Sequence, residues 1–120
     1  MDLAAEIEKL LKEQYDLATK VLDDAAEKAS DAAVKELKSS SPQKSGKYAK
    51  GWSMTETSGK VGSKQFTVHN KTRYRLAHLL EFGHAKVNGG RVAARPHIAP
   101  VEQKAMKDFE NEIRRGIENG

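Results

Sequence analysis

The side chains best suited to chemistry in this chain are three histidines and a glutamate. His78, Glu81 and His84 form the pattern H-x-x-E-x-x-H, and His97 follows further along. Helical zinc sites place two histidines four residues apart, one turn along a single helix face, with a glutamate beside the first. A spacing of six puts the two histidines on different faces, and Gly83 is placed to end the helix between them. We therefore expect no metal site, and a histidine-metal hydrolase is the least favoured interpretation.

The sequence does not indicate a phosphate-binding loop or an activated nucleophile either. The stretch TSGKVGSK (residues 57–64) resembles a P-loop, but the required first glycine falls on Met54 and the residue after Lys60 is Val61. The chain has no cysteine, and no serine lies in a Gly-x-Ser-x-Gly turn. Acids are plentiful, but most fall on the solvent face of the first predicted helix. The sequence predicts no enzyme, no catalytic residue and no cofactor.

Length and composition indicate one soluble domain with a modest core. The chain has 120 residues, of which 38% are hydrophobic and 32% charged. A chain of this length can bury about two-thirds of its unfolded surface. No run approaches the ~20 apolar residues that span a membrane, and the acidic amino terminus does not resemble a signal peptide. We expect a protein of the cell interior without membrane association.

Charge is distributed unevenly along the chain. Residues 1–35 carry nine acidic and five basic residues. Residues 36–75 carry two acidic and nine basic residues, and residues 76–120 carry six acidic and seven basic residues. The middle third is therefore strongly basic. Stretches of this kind track phosphates in nucleic-acid-binding proteins, although most are only solvated surface. Nucleic-acid binding stays open as an alternative function.

The amino-terminal third is predicted to be one long helix, residues 1–38. Strong helix formers dominate it, Gly and Pro are absent, and apolar residues recur at steps of three and four. Unbroken, it would be roughly 50 Å long, whereas a compact domain of this size has a radius of gyration of about 14 Å. The helix must therefore bend, break or project. Its apolar face from Ala25 to Ala33 is almost entirely alanine, which favours close packing against a partner.

The rest of the chain, residues 41–120, is predicted to form an α+β body, and the whole chain a single α+β domain. Its elements are a β-hairpin around Ser58-Gly59, a helix from Arg73 to Phe82 ended by Gly83, a loop over residues 84–90, a short extended strand over residues 91–98, and a last helix from Pro100 to about Ile117 that packs on the sheet. The last helix is expected to bury Val101, Ala105, Phe109 and Ile113.

Two charges stand in apolar surroundings. Glu81 ends an otherwise apolar helix, and Arg95 lies between Ala94 and Pro96. A carboxylate and a guanidinium so placed usually find each other or a partner chain. We predict that Glu81 and Arg95 pair, within the subunit or across an interface; two independent surface charges are the alternative.

Two segments in this order carry a family resemblance. YRLAHLLEFGHA followed by AARPHIAPVEQKA resembles the paired motif of the neck proteins of tailed phages, the small head–tail joining or tail-completion proteins of lambdoid siphophages. The matching positions are Tyr74, Glu81, Phe82, Gly83, Ala94, Arg95, Pro96, Ile98 and Pro100. An earlier family segment is matched by Pro42, Ser45, Gly46 and Tyr48. The resemblance spans about residues 41–105 and departs from the family pattern at His84, His97 and Ser45.

The resemblance implies a virion structural protein without enzymatic activity, located at the head–tail junction and in the host cytoplasm during assembly. It further implies a ring of copies about the tail axis that contacts other neck, connector and tail proteins. Lys44, Lys47 and Lys50 are then candidates to face DNA passing through the lumen. The alternative is a small basic module that binds DNA without sequence preference.

Overall fold

The longest element of the fold is an unbroken amino-terminal helix. In a computed structural model, which describes residues 2–42, 46–58 and 64–119, helix α1 runs from Leu3 to Ser40. The side chain of Asp2 caps its start by accepting a hydrogen bond from the backbone N–H of Ala5 at 3.2 Å. The molecule measures 79 × 26 × 22 Å. Of the three predicted outcomes, α1 therefore projects and does not break.

The two halves of α1 have different surroundings. Its buried residues, Ala25, Ala29, Ala33 and Leu37, all lie in the carboxyl half at steps of four. The large apolar side chains of its amino half are exposed. Because alanine has only a Cβ, the buried stripe lets the rest of the chain approach the helix backbone closely.

A two-stranded antiparallel hairpin follows α1, as predicted. Strand β1 is Trp52–Ser58 and strand β2 is Lys64–Asn70, and their register pairs Trp52 with Asn70 and Ser58 with Lys64. In β2, half-buried Phe66 and Val68 lie on either side of exposed Thr67, and the alternation of these residues with polar neighbours is the pattern that identified the strand. The predicted turn at Gly59 lies outside the described residues.

Short elements depart from the predicted order. A four-residue helix, α2 (Lys47–Lys50), precedes the hairpin, and strand β3 (His84–Ala85) pairs with β4 (Arg91–Val92) in a second small hairpin. The prediction of a plain loop at residues 84–90 was therefore wrong at its first two residues. Two-residue strands and single helical turns are too short to show a hydrophobic period.

Helix α3 (Tyr74–Phe82) ends at Gly83, as predicted. Gly83 has φ 73°, and a Cβ on it would lie 2.5 Å from the carbonyl oxygen of Val92. Only glycine fits there, because the backbone must take a left-handed φ and also pass close to β4.

Helix α4 (Ile98–Asn119) runs antiparallel to α1, as shown by the ion pairs Lys104–Glu36 at 3.5 Å and Lys28–Glu112 at 3.4 Å. It begins two residues before Pro100, the predicted first residue. Proline is tolerated there because first-turn N–H groups have no partner within a helix. The predicted inner face is confirmed, with Val101 buried and Ala105, Phe109 and Ile113 half-buried.

The core is small and lies where α1, α2, the hairpin and the start of α4 meet. It consists of Ala33, Leu37, Tyr48, Trp52 and Val101. Only the first turns of α4 therefore pack at the base of the sheet, and the rest of the helix packs on α1. No helix in the described part of the chain is long and apolar enough to cross a membrane.

Candidate assembly interface

The carboxylate of Glu81 caps the amino end of α4. Its Oε1 accepts hydrogen bonds from the backbone N–H groups of His97 and Ile98, both at 2.8 Å, and its Oε2 accepts one from Ala99 at 3.0 Å. These N–H groups have no acceptor within the helix. A negative charge at this end also interacts favourably with the helix dipole. Glu81 therefore joins α3 to α4.

The surroundings of Glu81 act on its pKa in opposite directions. Burial alone would raise the pKa, but the three backbone N–H groups and the neighbouring His97 favour the ionised form. The net effect is a pKa below the ordinary value, so Glu81 is an anion at neutral pH.

The predicted pair of Glu81 with Arg95 does not form in this chain. Arg95 is exposed, and what holds it in place is its backbone: its N–H donates to the carbonyl of Leu80 at 2.7 Å, and its own carbonyl oxygen lies 2.8 Å from Nδ1 of His97. The prediction was wrong for a pair within the subunit, because backbone N–H groups satisfy the carboxylate; a pair across an interface stays a prediction. These donors are present in every sequence and leave no pattern in it.

His97 continues the connection into the core. Its Nδ1 faces two acceptors, the Arg95 carbonyl and Glu81 Oε1, so this nitrogen carries a proton. Its Nε2 lies 2.7 Å from the hydroxyl of Tyr48. Burial, with a smaller contribution from the Glu81 charge, raises the pKa of Tyr48 to about 12. Tyr48 is therefore a neutral hydroxyl within a buried chain of hydrogen bonds.

Asn70, at the end of β2, organises the other side of the site. Its side-chain N–H donates to the carbonyl of Tyr48 at 2.7 Å, and its Oδ1 accepts from the backbone N–H of Arg73 at 2.8 Å, just before α3. A Cβ on Gly51 would collide with this amide and with Thr72. The role of Asn70 was not predicted, because a single polar residue after a strand resembles an ordinary turn residue.

Ser41 closes the end of α1 in a similar way. Its hydroxyl donates to the carbonyl of Leu37 and accepts from the indole N–H of Trp52 at 2.8 Å. The hydroxyl thereby ties the carboxyl end of α1 to the first residue of β1. The serine run before Pro42 identified the helix end but not this contact.

The structure divides the motif residues into a supporting group and an outward group. Tyr48 and Glu81 are buried, and Pro42, Gly46, Gly83 and Ile98 are half-buried. The exposed members are Tyr74, Phe82, Ala94, Arg95, Pro96 and Pro100. Ser45 lies outside the described residues. The buried motif residues position the elements, and the exposed ones are available to a partner.

The structure does not bring the histidines of the H-x-x-E-x-x-H pattern together around a common point. Glu81 is engaged with α4, and the His78 ring packs against Phe82 with ring centroids 5.0 Å apart. His84 Nδ1 is buried without a hydrogen-bond partner among the described residues. Within residues 2–42, 46–58 and 64–119, no cluster of three or more histidine and acidic side chains could hold a metal ion.

A basic patch forms where α2 meets the connection between β2 and α3. Lys47 and Lys50 are exposed on α2, while Lys44 lies outside the described residues. The N–H of Lys71 donates to the carbonyl of Gly51 at 2.8 Å and holds the segment leading to Arg73 beside α2. None of the four cations, Lys47, Lys50, Lys71 and Arg73, has an acidic partner in the described part of the chain. Lys71 and Arg73 were not among the predicted DNA-facing residues.

Two further surfaces expose large apolar side chains. One is the amino-terminal arm, residues 2–16, formed by the cap and first turns of α1, which extends past the end of α4 and exposes Leu3, Ile7, Leu10, Leu11 and Tyr15. The other is the α3 face, where Tyr74, Leu76, Leu79 and Phe82 are exposed. Large contiguous apolar patches on a protein surface often mark sites of association.

No curated protein and no solved structure matches this chain. Residues 2–83 match the model of the family described as "Bacteriophage HK97-gp10, putative tail-component". The match covers the elements from α1 to α3. It therefore includes the hairpin and two residues of the site, Tyr48 and Glu81. The chain therefore belongs to the HK97 gp10-like family of bacteriophage tail components, as its motifs predicted, and is a structural protein of a tailed phage.

Proposed function

We propose that this protein is a non-enzymatic virion component at the head–tail junction, a neck or tail-completion protein. In this proposal several copies form a ring about the tail axis and contact other neck, connector and tail proteins. Membership of a tail-component family supports a role in the virion.

The observation that carries the proposal is the projecting amino-terminal arm. Leu3 and Leu11 are each 65% exposed, on a helix that the rest of the chain does not cover at this end. Burying apolar surface stabilises by roughly 25 cal/mol per Å², so this surface gains stability only when another chain covers it. Such an arm is expected of a protein that works in an assembly.

The basic patch has a place in the same proposal. Lys47 and Lys50 have no acidic partner among the described residues, and a ring that lets DNA pass must hold it loosely. We expect contact with phosphates that depends on salt and not on base sequence. The same patch also supports the alternative function, a DNA-binding module without sequence preference.

The test is electron microscopy of particles produced when the gene is stopped early. Filled heads beside unattached or defective tails are the expected result. Normal, joined and infectious particles would contradict the junction role and favour the DNA-binding module. Restoring the intact gene in trans is the control, and it should restore joined particles.

A further inference from the structure

We propose that the amino-terminal arm of one copy binds the α3 face of the neighbouring copy. This deepens the proposed function by naming the surfaces through which copies would contact each other. Its test reads that contact directly, so it can fail or succeed independently of the position of the protein in the virion.

The arm is amphipathic and acidic. It carries five acids and two lysines over residues 2–16, beside its exposed apolar side chains. None of the five carboxylates forms an ion pair with another described residue. A partner for this helix should therefore offer an apolar strip bordered by positive charge.

The α3 face has this chemistry. Tyr74 is 64% exposed and Phe82 63%, and the guanidinium of Arg75 lies 5.7 Å from the centre of the Tyr74 ring. Between residues 71 and 101 the sequence has six basic residues and a single acid, Glu81, which is buried and bound to α4. The basic residues are Lys71, Arg73, Arg75, Lys86, Arg91 and Arg95. The face is thus apolar and cationic, with no exposed carboxylate in this stretch.

The arm cannot reach the α3 face of its own chain. Leu37 belongs to the core cluster against which Leu80 of α3 packs. Leu10 lies on the same unbroken helix as Leu37, roughly 40 Å away at 1.5 Å per residue. The two surfaces can therefore meet only between copies. Such a contact joins two different patches, and repeated head to tail it builds a ring when the rotation closes.

Pairing of two α1 helices is the main competitor. Leu3, Ile7, Leu10, Gln14, Leu17 and Val21 follow alternating steps of four and three, which is a coiled-coil spacing. The charge balance opposes this arrangement, because each arm has a net charge of −3 from its five acids and two lysines. The cationic α3 face attracts the arm, whereas a second arm repels it.

The absence of native cysteine allows a direct cross-linking test. One protein would carry Leu10→Cys and a second, size-tagged protein Leu79→Cys, and the mixture would be treated with a mild oxidant. We expect a mixed disulfide-linked dimer, and a ladder of higher species from the Leu10→Cys/Leu79→Cys double variant. Met106→Cys, on a residue 65% exposed on α4, is the matched control and should not capture Leu10→Cys.

Charge reversal gives a second test of this contact in the intact chain. Glu6→Lys with Glu13→Lys should abolish the cross-link between positions 10 and 79, and Arg73→Glu with Arg75→Glu in the other protein should restore it. Glu118→Lys, at the far end of α4, should leave the cross-link unchanged.

Three outcomes would overturn the proposal. Disulfides between two Leu10→Cys chains without the mixed product would indicate a coiled coil. Capture of Leu10→Cys by Ile117→Cys would place the arm in the groove between α1 and α4, which Leu17, Val21, Ile113 and Gly116 line. No cross-link in purified protein or in assembled particles would show that the two surfaces do not meet. A positive cross-link beside normal head–tail joining in the stopped-gene experiment would leave this contact standing and remove the junction role.

Discussion

Glu81 and His97 meet through two contacts to the same oxygen atom. The backbone N–H of His97 donates to Oε1 of Glu81 at 2.8 Å, and the imidazole Nδ1 lies 3.2 Å from that oxygen. One residue thereby fixes the start of α4 through its backbone and connects it to Tyr48 through its ring. A single buried carboxylate thus links α3, the start of α4 and the core.

Replacing that carboxylate by an amide should destabilise the fold. Glu81→Gln keeps the size of the side chain but puts an NH2 group against a backbone N–H, so at least one donor loses its acceptor. We expect a loss of about 1–3 kcal/mol in the free energy of unfolding. Urea denaturation followed by the fluorescence of Trp52, the single tryptophan, measures it. Glu118→Gln, an exposed change on α4, should leave stability within error of the parent, and an equal loss in both variants would contradict the cap.

The pKa of Glu81 gives stability an acid-side pH dependence. Because the pKa in the folded state lies below the ordinary value of 4.5, the ionised form is preferred on folding. This contribution is fully present above 4.5 and is lost as the pH falls through the folded-state value. Denaturation midpoints measured from neutral pH downward should therefore fall more steeply for the parent than for Glu81→Gln. Parallel curves for the two proteins would show that another carboxylate determines the loss of stability at low pH.

In the folded protein, Tyr48 should titrate at a higher pH than a tyrosine with the ordinary pKa. Its pKa is raised to about 12 from 10.0, so the neutral hydroxyl is favoured by folding, and that contribution is present below 10 and lost as the pH rises towards 12. Ultraviolet absorbance of the phenolate should show a late phase that Tyr48→Phe removes. Persistence of the late phase in Tyr48→Phe would assign it to another tyrosine.

Neutralising the basic patch should weaken DNA contact without affecting the fold. Lys47→Gln with Lys50→Gln removes two cations from the exposed surface, and each lost phosphate contact should reduce the slope of log affinity against log salt by about 0.9. Fluorescence anisotropy with two unrelated duplexes measures both the slope and the lack of sequence preference. The charge-matched control is Lys104→Gln with Lys107→Gln on α4. Equal effects of the two pairs would indicate that net charge alone, and not this patch, attracts DNA.

Local patterns in the sequence were sufficient for the larger elements. The continuous helical period of α1, the alternation around Phe66 and Val68, and the inner face of α4 at Val101 and Ala105 each report which side of an element is buried. These signals depend only on the residue's own element, and the structure confirms all three elements, although in α1 only the carboxyl half of the apolar face is buried. Gly83 was predictable because a helix end needs a residue that adopts a left-handed φ.

The partners of the polar residues were decided only by the tertiary structure. Glu81 binds backbone N–H groups of α4 and not Arg95, Asn70 connects Tyr48 to the start of α3, and Lys71 joins the patch on α2. Backbone donors and acceptors are the same in every residue, so no sequence pattern identifies which of them a side chain will meet. The sequence alone therefore determined the larger elements and their apolar faces, and the packing of α1, α3 and α4 determined what the buried polar groups bind.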